Sequence, residues 1–249
     1  MRPEESGIAL LLAVWAVILI GGFVTGVMVL GGGDAAITAN RIDMARAQGL
    51  AEAGVATAIA ALTGPDFNKR PALAQPFSVE LEDGARIMVE IRDSCGAIDI
   101  NWAPEALLRA YAMTIGMKSD AAGRLAGAIV ARRQAVPATG KDEWRTGPWQ
   151  SLEQLADLPG MDKRTLEEIR PGLTVNCGEA GADPQHAPDT VREALGLSGV
   201  SGGPSHGLAY EIEAKARLAS GAKVTLLAAI WLSRQPGPPY YFITGWRTL

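Results

Sequence analysis

The chain has 249 residues, a length that fits one large domain or two small ones. Its net charge of -4 argues against nucleic-acid binding, because such binding needs basic clusters that displace counterions from phosphates. No phosphate-binding P-loop is present. Both histidines, His186 and His206, lie in loops rich in Gly and Pro that would not hold a catalytic base rigidly. The sequence therefore predicts a protein that is not an enzyme.

Residues 8–30 form an apolar segment without a single charge. As a helix with a 1.5 Å rise per residue, this segment spans roughly 35 Å, enough to cross a bilayer core of about 30 Å. The alternative is a cleaved signal peptide, whose apolar region runs about 7–15 residues and ends at an A-x-A-like site. Because this segment is longer and is followed by Gly31-Gly32-Gly33-Asp34, the sequence predicts a retained single-span membrane anchor.

Charge alone does not orient the span, since Arg2 precedes it and Arg41 and Arg46 follow it. The two cysteines, Cys95 and Cys177, both lie after the span. In an extracytoplasmic domain they can form one disulfide that closes a loop of about 80 residues, worth about 4 kcal/mol in the chain-entropy model. Two unrelated buried thiols are the other interpretation.

Residues 31–64 are predicted to continue the helix with an amphipathic pattern. Apolar residues recur at three- and four-residue spacings and form one stripe. The stripe consists of Met44, Ala47, Ala51, Val55, Ala58 and Leu62. Gly64-Pro65 is expected to end the helix. Because each interior glycine costs about 1 kcal/mol relative to alanine, the run of three glycines at 31–33 predicts a bendable or locally unwound junction.

Residues 77–101 alternate between apolar and polar side chains, which is typical of strands with one buried face. Asp83-Gly84 predicts a two-residue turn within a hairpin, and Ile98 and Ile100 are expected to extend the same sheet. Residues 208–249 alternate again and predict further strands. They follow a Gly/Ser-rich stretch at 198–207 that predicts a flexible linker.

The intervening residues 102–197 are predicted to be helical. Pro104 suits a first helical turn, Ser151 and Gln154 form a capping-box pattern, and Asp162 is suited to cap the helix that follows. Strands thus bracket a helical block. The simplest architecture is an α+β fold, in which a long N-terminal helix packs on an antiparallel sheet and an all-helical domain is inserted between strands.

Residues 1–7 form a short polar leader that ends at Gly7, ahead of the apolar helix, the amphipathic stripe and the strands. This order resembles the type IV pilin-like class of proteins. The resemblance implies that a prepilin peptidase cleaves between Gly7 and Ile8 and methylates the new N-terminus at Ile8. The leader departs from the class pattern because it contains Glu4 and Glu5 and is poor in basic residues.

Over nearly its whole length the chain resembles the type II secretion system minor pseudopilin K (GspK) family. The motifs that carry this resemblance are Gly7-Ile8-Ala9-Leu10-Leu11, Leu50-Ala51-Glu52-Ala53-Gly54, Ile98-Asp99-Ile100-Asn101 after Cys95, and the Leu-x-x-Leu-Pro-Gly-Met stretch before Cys177. In this family a helical domain, SAM-like or helix-hairpin-helix-like, interrupts a pilin sheet. Both cysteines fall where family members can carry a bridge, and the insertion is short for the family.

The resemblance implies a minor pseudopilin that assembles at or near the tip of the periplasmic pseudopilus and supports export of folded proteins across the outer membrane. The implied location is the bacterial inner membrane, with a single span and the head in the periplasm. The implied partners are the I- and J-type minor pseudopilins, the major pseudopilin, the prepilin peptidase and the inner-membrane assembly platform, with no nucleic acid.

Leu12 would be the fifth residue of the mature chain, where most pilin-like subunits have Glu. That Glu neutralises the N-terminal ammonium of a neighbouring subunit in the apolar stack, where an unpaired charge would cost several kcal/mol. A subunit with Leu12 offers no such partner to a subunit above it, which fits a position at the tip. Leu12 as one more anchor residue is the alternative.

Two other functions stay open from the sequence. One is a minor pilin of a type IV pilus. The other is a membrane-anchored DNA receptor, because residues 150–170 resemble a helix-hairpin-helix, although Asp162 and a missing glycine in the turn argue against phosphate binding. No cofactor is expected. The acidic loop at 179–189 leaves calcium as a weaker prediction, without EF-hand or zinc spacing.

Overall fold

The computed structural model describes residues 3–64, 71–135, 146–235 and 237–249, and within them the side chains of all residues except 3–9 and 24–35. Helix α1 (Pro3–Thr63) runs through the three glycines without interruption. The local unwinding predicted at this junction is therefore wrong, and its bendability stays a prediction. A cost of about 1 kcal/mol per glycine does not break a helix when strongly helical segments flank it on both sides.

An antiparallel sheet is formed by five strands, β1 (Phe77–Glu80), β2 (Arg86–Asp93), β5 (Ala209–Arg217), β6 (Lys223–Leu232) and β7 (Tyr241–Thr248). They lie side by side in the order β1-β2-β5-β6-β7. The C-terminal half of α1 packs across β2, β5 and β6, and the α+β prediction is confirmed. The helix and one face of the sheet thus enclose the first core.

The predicted stripe of α1 is buried except at its start. Ala47, Ala51 and Leu62 are almost fully buried, whereas Met44 is 42% exposed and lies outside the core. At Gly54 the helix comes closest to the sheet, where a Cβ atom would lie 2.8 Å from a methyl carbon of Ile87. Any side chain at this crossing would require the helix or its neighbours on the strands to shift.

The loop between β1 and β2 has a different length from the one predicted. Leu81 N–H donates to the Ala85 carbonyl at 2.8 Å, and Gly84 N–H donates to the Leu81 carbonyl at 3.0 Å. These bonds close a three-residue loop, with Gly84 at a φ of 79°. The predicted two-residue turn is therefore wrong, because the left-handed glycine serves a three-residue loop instead.

A second core belongs to the block inserted between the neighbouring strands β2 and β5. Its elements are β3 (Ile98–Asp99), α2 (Glu105–Thr114), α3 (Ser119–Gln134), a 3-10 helix (Leu152–Asp157), α4 (Lys163–Ile169), β4 (Leu173–Thr174) and α5 (Asp189–Ser198). Asp162 caps α4 through a bond from Thr165 N–H, as predicted. Ser151 makes no capping bond; Gln154 instead accepts from Gln150 N–H.

Two other expectations fail in this region. Ile98 belongs to β3, which pairs in parallel with β4 in a separate two-stranded sheet and does not extend the main one. The stretch predicted as a flexible linker is bonded into the fold, since Ser205 donates its N–H to Asp183 and its hydroxyl to Asp93. Buried carboxylates 22 and 112 positions away from Ser205 supply these bonds, and local composition does not show them.

The anchor helix and the neck of the inserted domain as candidate functional sites

The predicted anchor and processing residues lie on the first half of α1. The backbone of Gly7 and Ile8 is helical, but their side chains fall outside the described residues, as do those of 24–30 in the predicted span. Leu12 is 63% exposed, among large apolar residues that are also exposed. Within the described residues, no helix combines the length and apolar character needed to cross a membrane.

Cys95 and Cys177 lie where the chain enters and leaves the inserted block. They are joined by a disulfide, with Cα atoms 4.9 Å apart, and both are 1% exposed. Next to the disulfide, β3 pairs with β4. We call this region, residues 94–101 and 173–178, the neck. The disulfide and the strand pair together hold the two ends of the insertion side by side.

Asp99 organises the backbone of the neck. Its carboxylate accepts hydrogen bonds from the N–H groups of Asn101, Cys177 and Gly178 at 2.7–2.9 Å. Burial raises the pKa of Asp99, while these N–H groups and the nearby Arg133 act in the opposite direction. Arg133 donates in turn to the carbonyls of Ile100 and Ala103. The carboxylate therefore satisfies backbone donors that the short strands leave unpaired.

His206 lies between the neck and the main sheet and contacts both. Its Nδ1 accepts from Leu208 N–H at 3.1 Å, and its Nε2 lies 2.8 Å from the Cys177 carbonyl. Only the neutral tautomer with hydrogen on Nε2 makes both bonds. The ring packs against Trp231 at 4.9 Å between centroids. These contacts give His206 a structural role beside the neck.

The two cysteines of the neck and the adjacent His206 are the only group of three metal-type ligand residues among the described parts of the chain. The two sulfurs of this group are in a disulfide, so they are not thiolate ligands.

In the acidic loop at 179–189, Asp183 accepts from Gln185 and Ser205 N–H groups, and Asp189 pairs with Arg192. Calcium binding at this loop stays an untested prediction.

An ionic contact joins the hairpin of the inserted block to the sheet. The Glu153 carboxylate pairs with Arg170, at 2.7 Å, and with Arg247 of β7. Glu211 lies on the same side of the sheet, where burial raises the pKa of its carboxyl although Arg92 acts in the opposite direction. The helix-hairpin-helix-like segment therefore uses an acidic side chain to dock on the sheet.

Sequence reasoning missed the roles of Asp99 and His206 and one further pattern. A single Asp between two isoleucines was the signal for Asp99, because a carboxylate in an apolar strand needs buried donors.

Residues 199–203 also have the Gly-x-Ser-x-Gly spacing of a hydrolase nucleophile. That motif requires a strand-to-helix turn, whereas Gly199 here ends α5 and an irregular segment follows. Ser201 therefore lacks the strand-to-helix turn that this motif requires.

Comparison with known proteins gives a structural match. No protein-family model and no curated protein sequence matches the chain. Among solved structures, a chain of the GspK-GspI-GspJ complex from the type 2 secretion system of enterotoxigenic Escherichia coli is similar, with a TM-score of 0.62. The match covers 85% of this chain and 98% of that chain, at 11% sequence identity. At this identity the similarity establishes the fold, and the predicted pseudopilin-like architecture is confirmed.

Proposed function

We propose that the protein is a minor pseudopilin of a type II secretion system. One observation carries the proposal. A long N-terminal helix packs on an antiparallel sheet that is interrupted, between the neighbouring strands β2 and β5, by a helical block. A solved chain of the GspK-GspI-GspJ complex is similar in fold over 85% of this chain. On this proposal the protein functions by assembling with other subunits.

The proposal extends to how the protein is held and with what it assembles. Residues 8–30 anchor it in the inner membrane with the head in the periplasm, after a prepilin peptidase has cleaved at Gly7 and methylated Ile8. Its partners are the I- and J-type minor pseudopilins, the major pseudopilin and the inner-membrane assembly platform. The disulfide Cys95–Cys177 supports this location, because disulfides persist in oxidising compartments such as the periplasm.

A position at or near the tip is the finer part of the proposal. It is supported by Leu12, which lacks the carboxylate that would neutralise the N-terminal ammonium of a subunit above it. A tip subunit has no neighbour there and loses nothing by that substitution. The tip would then present the inserted block to exported proteins.

Mass analysis of the membrane-extracted chain, made with and without prepilin peptidase, tests the proposal. We expect the peptidase to produce a chain that begins at methylated Ile8. The variant Gly7→Leu should stay unprocessed, whereas Ser6→Ala should be processed normally. An intact Met1 in the presence of peptidase, or cleavage after residue 30, would contradict a pseudopilin. Processing without co-purification of I- and J-type subunits would instead favour a pilin of another filament.

A further inference from the structure

Strand β7 is an open edge of the main sheet. It pairs with β6 on one side, and its other side meets no strand in the part of the chain that the structure describes. Its large side chains are exposed on both faces: Phe242 is 52% exposed, Ile243 50% and Trp246 46%. Such an edge presents a row of N–H and C=O groups with the spacing that another extended backbone needs.

Strand β1, at the opposite edge of the sheet, is protected against pairing with a further strand. Strand β1 has four residues and ends at Glu80, which pairs with Arg86. Proteins block unwanted strand pairing with short edges and charged side chains. Strand β7 has eight residues, and its one charged side chain, Arg247, is engaged by Glu153. It lacks both kinds of protection, which is the condition for adding a strand from another polypeptide.

A cavity of about 490 Å³ lies where β7 begins. Trp231 and Phe242 supply aromatic walls, and Arg234 and Glu179 supply one positive and one negative charge. A strand that pairs antiparallel with β7 runs towards Tyr241, so its carboxyl-terminal end reaches the end of the sheet at which this cavity lies. An apolar last side chain fits the aromatic walls, and the terminal carboxylate is complementary to the exposed Arg234.

We propose that β7 and this cavity form a binding site for the carboxyl-terminal segment of another polypeptide. The segment is extended and rich in β-branched residues, and it adds to β7 as an antiparallel sixth strand. Backbone hydrogen bonds to the edge supply general affinity, and the cavity selects an apolar last residue with a free carboxylate. The site lies on the sheet, so it does not require the anchor or the pseudopilus assembly to be as proposed.

A fluorescent peptide as long as β7, which alternates threonine and valine and ends in phenylalanine, tests this site on the full detergent-solubilised chain. We expect saturable binding that weakens about tenfold when the terminal carboxylate is amidated or when valines are replaced by proline. Arg234→Gln should bind both the free and the amidated peptide equally, because the carboxylate contact is gone. Glu179→Gln should keep or increase the preference for the carboxylate.

A matched pair of variants separates edge binding from adsorption to the detergent micelle. Ile243→Lys places a charge on exposed β7 and should reduce affinity about tenfold, by blocking the edge. Val79→Lys places the same charge on the exposed β1 edge and should leave affinity unchanged. Equal binding by both variants and the unmodified chain, or equal binding of the proline-containing peptide, would overturn the proposal.

Discussion

At the residue scale, the charged groups between the sheet and the inserted block decide how stability depends on pH. Burial raises the pKa of the Glu211 carboxyl, and Arg92 and Arg170 offset this effect only in part. A carboxyl group with a raised folded-state pKa contributes most to stability when it is protonated. That contribution is lost as the pH rises from the usual Glu value through the folded-state pKa.

Replacing Glu211 by Gln should therefore stabilise the protein at neutral pH, because the neutral amide is buried without a charge. The gain should shrink as the pH falls below about 4, because Glu211 then becomes neutral in both the folded and the unfolded chain. Urea unfolding of the solubilised full chain over a pH series measures this. Glu82→Gln, on the exposed β1–β2 loop, is the control. Destabilisation by Glu211→Gln at pH 7 would mean that Glu211 acts chiefly as an ion-pair partner.

At the element scale, the contact between α1 and the sheet depends on small residues on the helix. Ala47, Ala51 and Ala58 are fully buried, and Gly54 faces Ile87, Val89 and Ala214 of the sheet. Because none of these four helix residues has a side chain larger than a methyl group, the helix backbone lies close to β2 and β5. The spacing of the helix from the sheet is thus set by side-chain size.

Gly54→Ala tests this contact against helix propensity. A Cβ atom at this position would lie 2.8–3.2 Å from three side-chain atoms, so we expect a loss of about 1–2 kcal/mol from overpacking, despite the better helix propensity of alanine. Gly49→Ala is the matched control, since nothing lies within 4 Å of a Cβ atom there. It should gain up to about 1 kcal/mol. Equal stabilisation of both variants in thermal unfolding would show that the sheet can move away.

At the scale of the whole molecule, the inserted block is fastened to the sheet by contacts of different kinds. The disulfide and the β3–β4 pair hold the neck, Asp99 satisfies its backbone, and Glu153 reaches across to Arg247 of β7. Since these contacts involve residues far apart in sequence, the orientation of the block does not rest on the connecting chain alone. A stable orientation is what a subunit needs if the block is to present a surface to partners.

The double variant Cys95→Ser/Cys177→Ser should lower the free energy of unfolding by about 2–4 kcal/mol, because the loop between the cysteines is no longer closed in the unfolded chain. Amide hydrogen exchange should increase most in β3 and β4 and least in β5 and β6. Reduction of the unmodified chain should reproduce the same pattern. Unchanged exchange at the neck would show that β3, β4 and Asp99 suffice to hold it.

The sequence by itself determined the features that repeat locally. Periods of two and of three to four residues identified the main strands and the buried stripe of α1, because residues that face the core are apolar and residues that face solvent are polar. Asp162 was recognised as a cap because its bond reaches only three residues ahead. The insertion of a helical block into the sheet also followed from the order of these periods.

Only the tertiary structure decided what depends on distant partners. Glycine at 84 is compatible with loops of two or three residues, and the pairing of Leu81 with Ala85 selects three. An extra residue in β7 at the irregularity opposite Ala229 and Ile230 places Phe242 and Trp246 on opposite faces, against simple alternation. Asp99 and His206 bond to Cys177, 78 and 29 positions away. The periodicity of a sequence shows which side chains are buried. Hydrogen bonds between distant residues depend instead on which parts of the backbone meet in the folded chain.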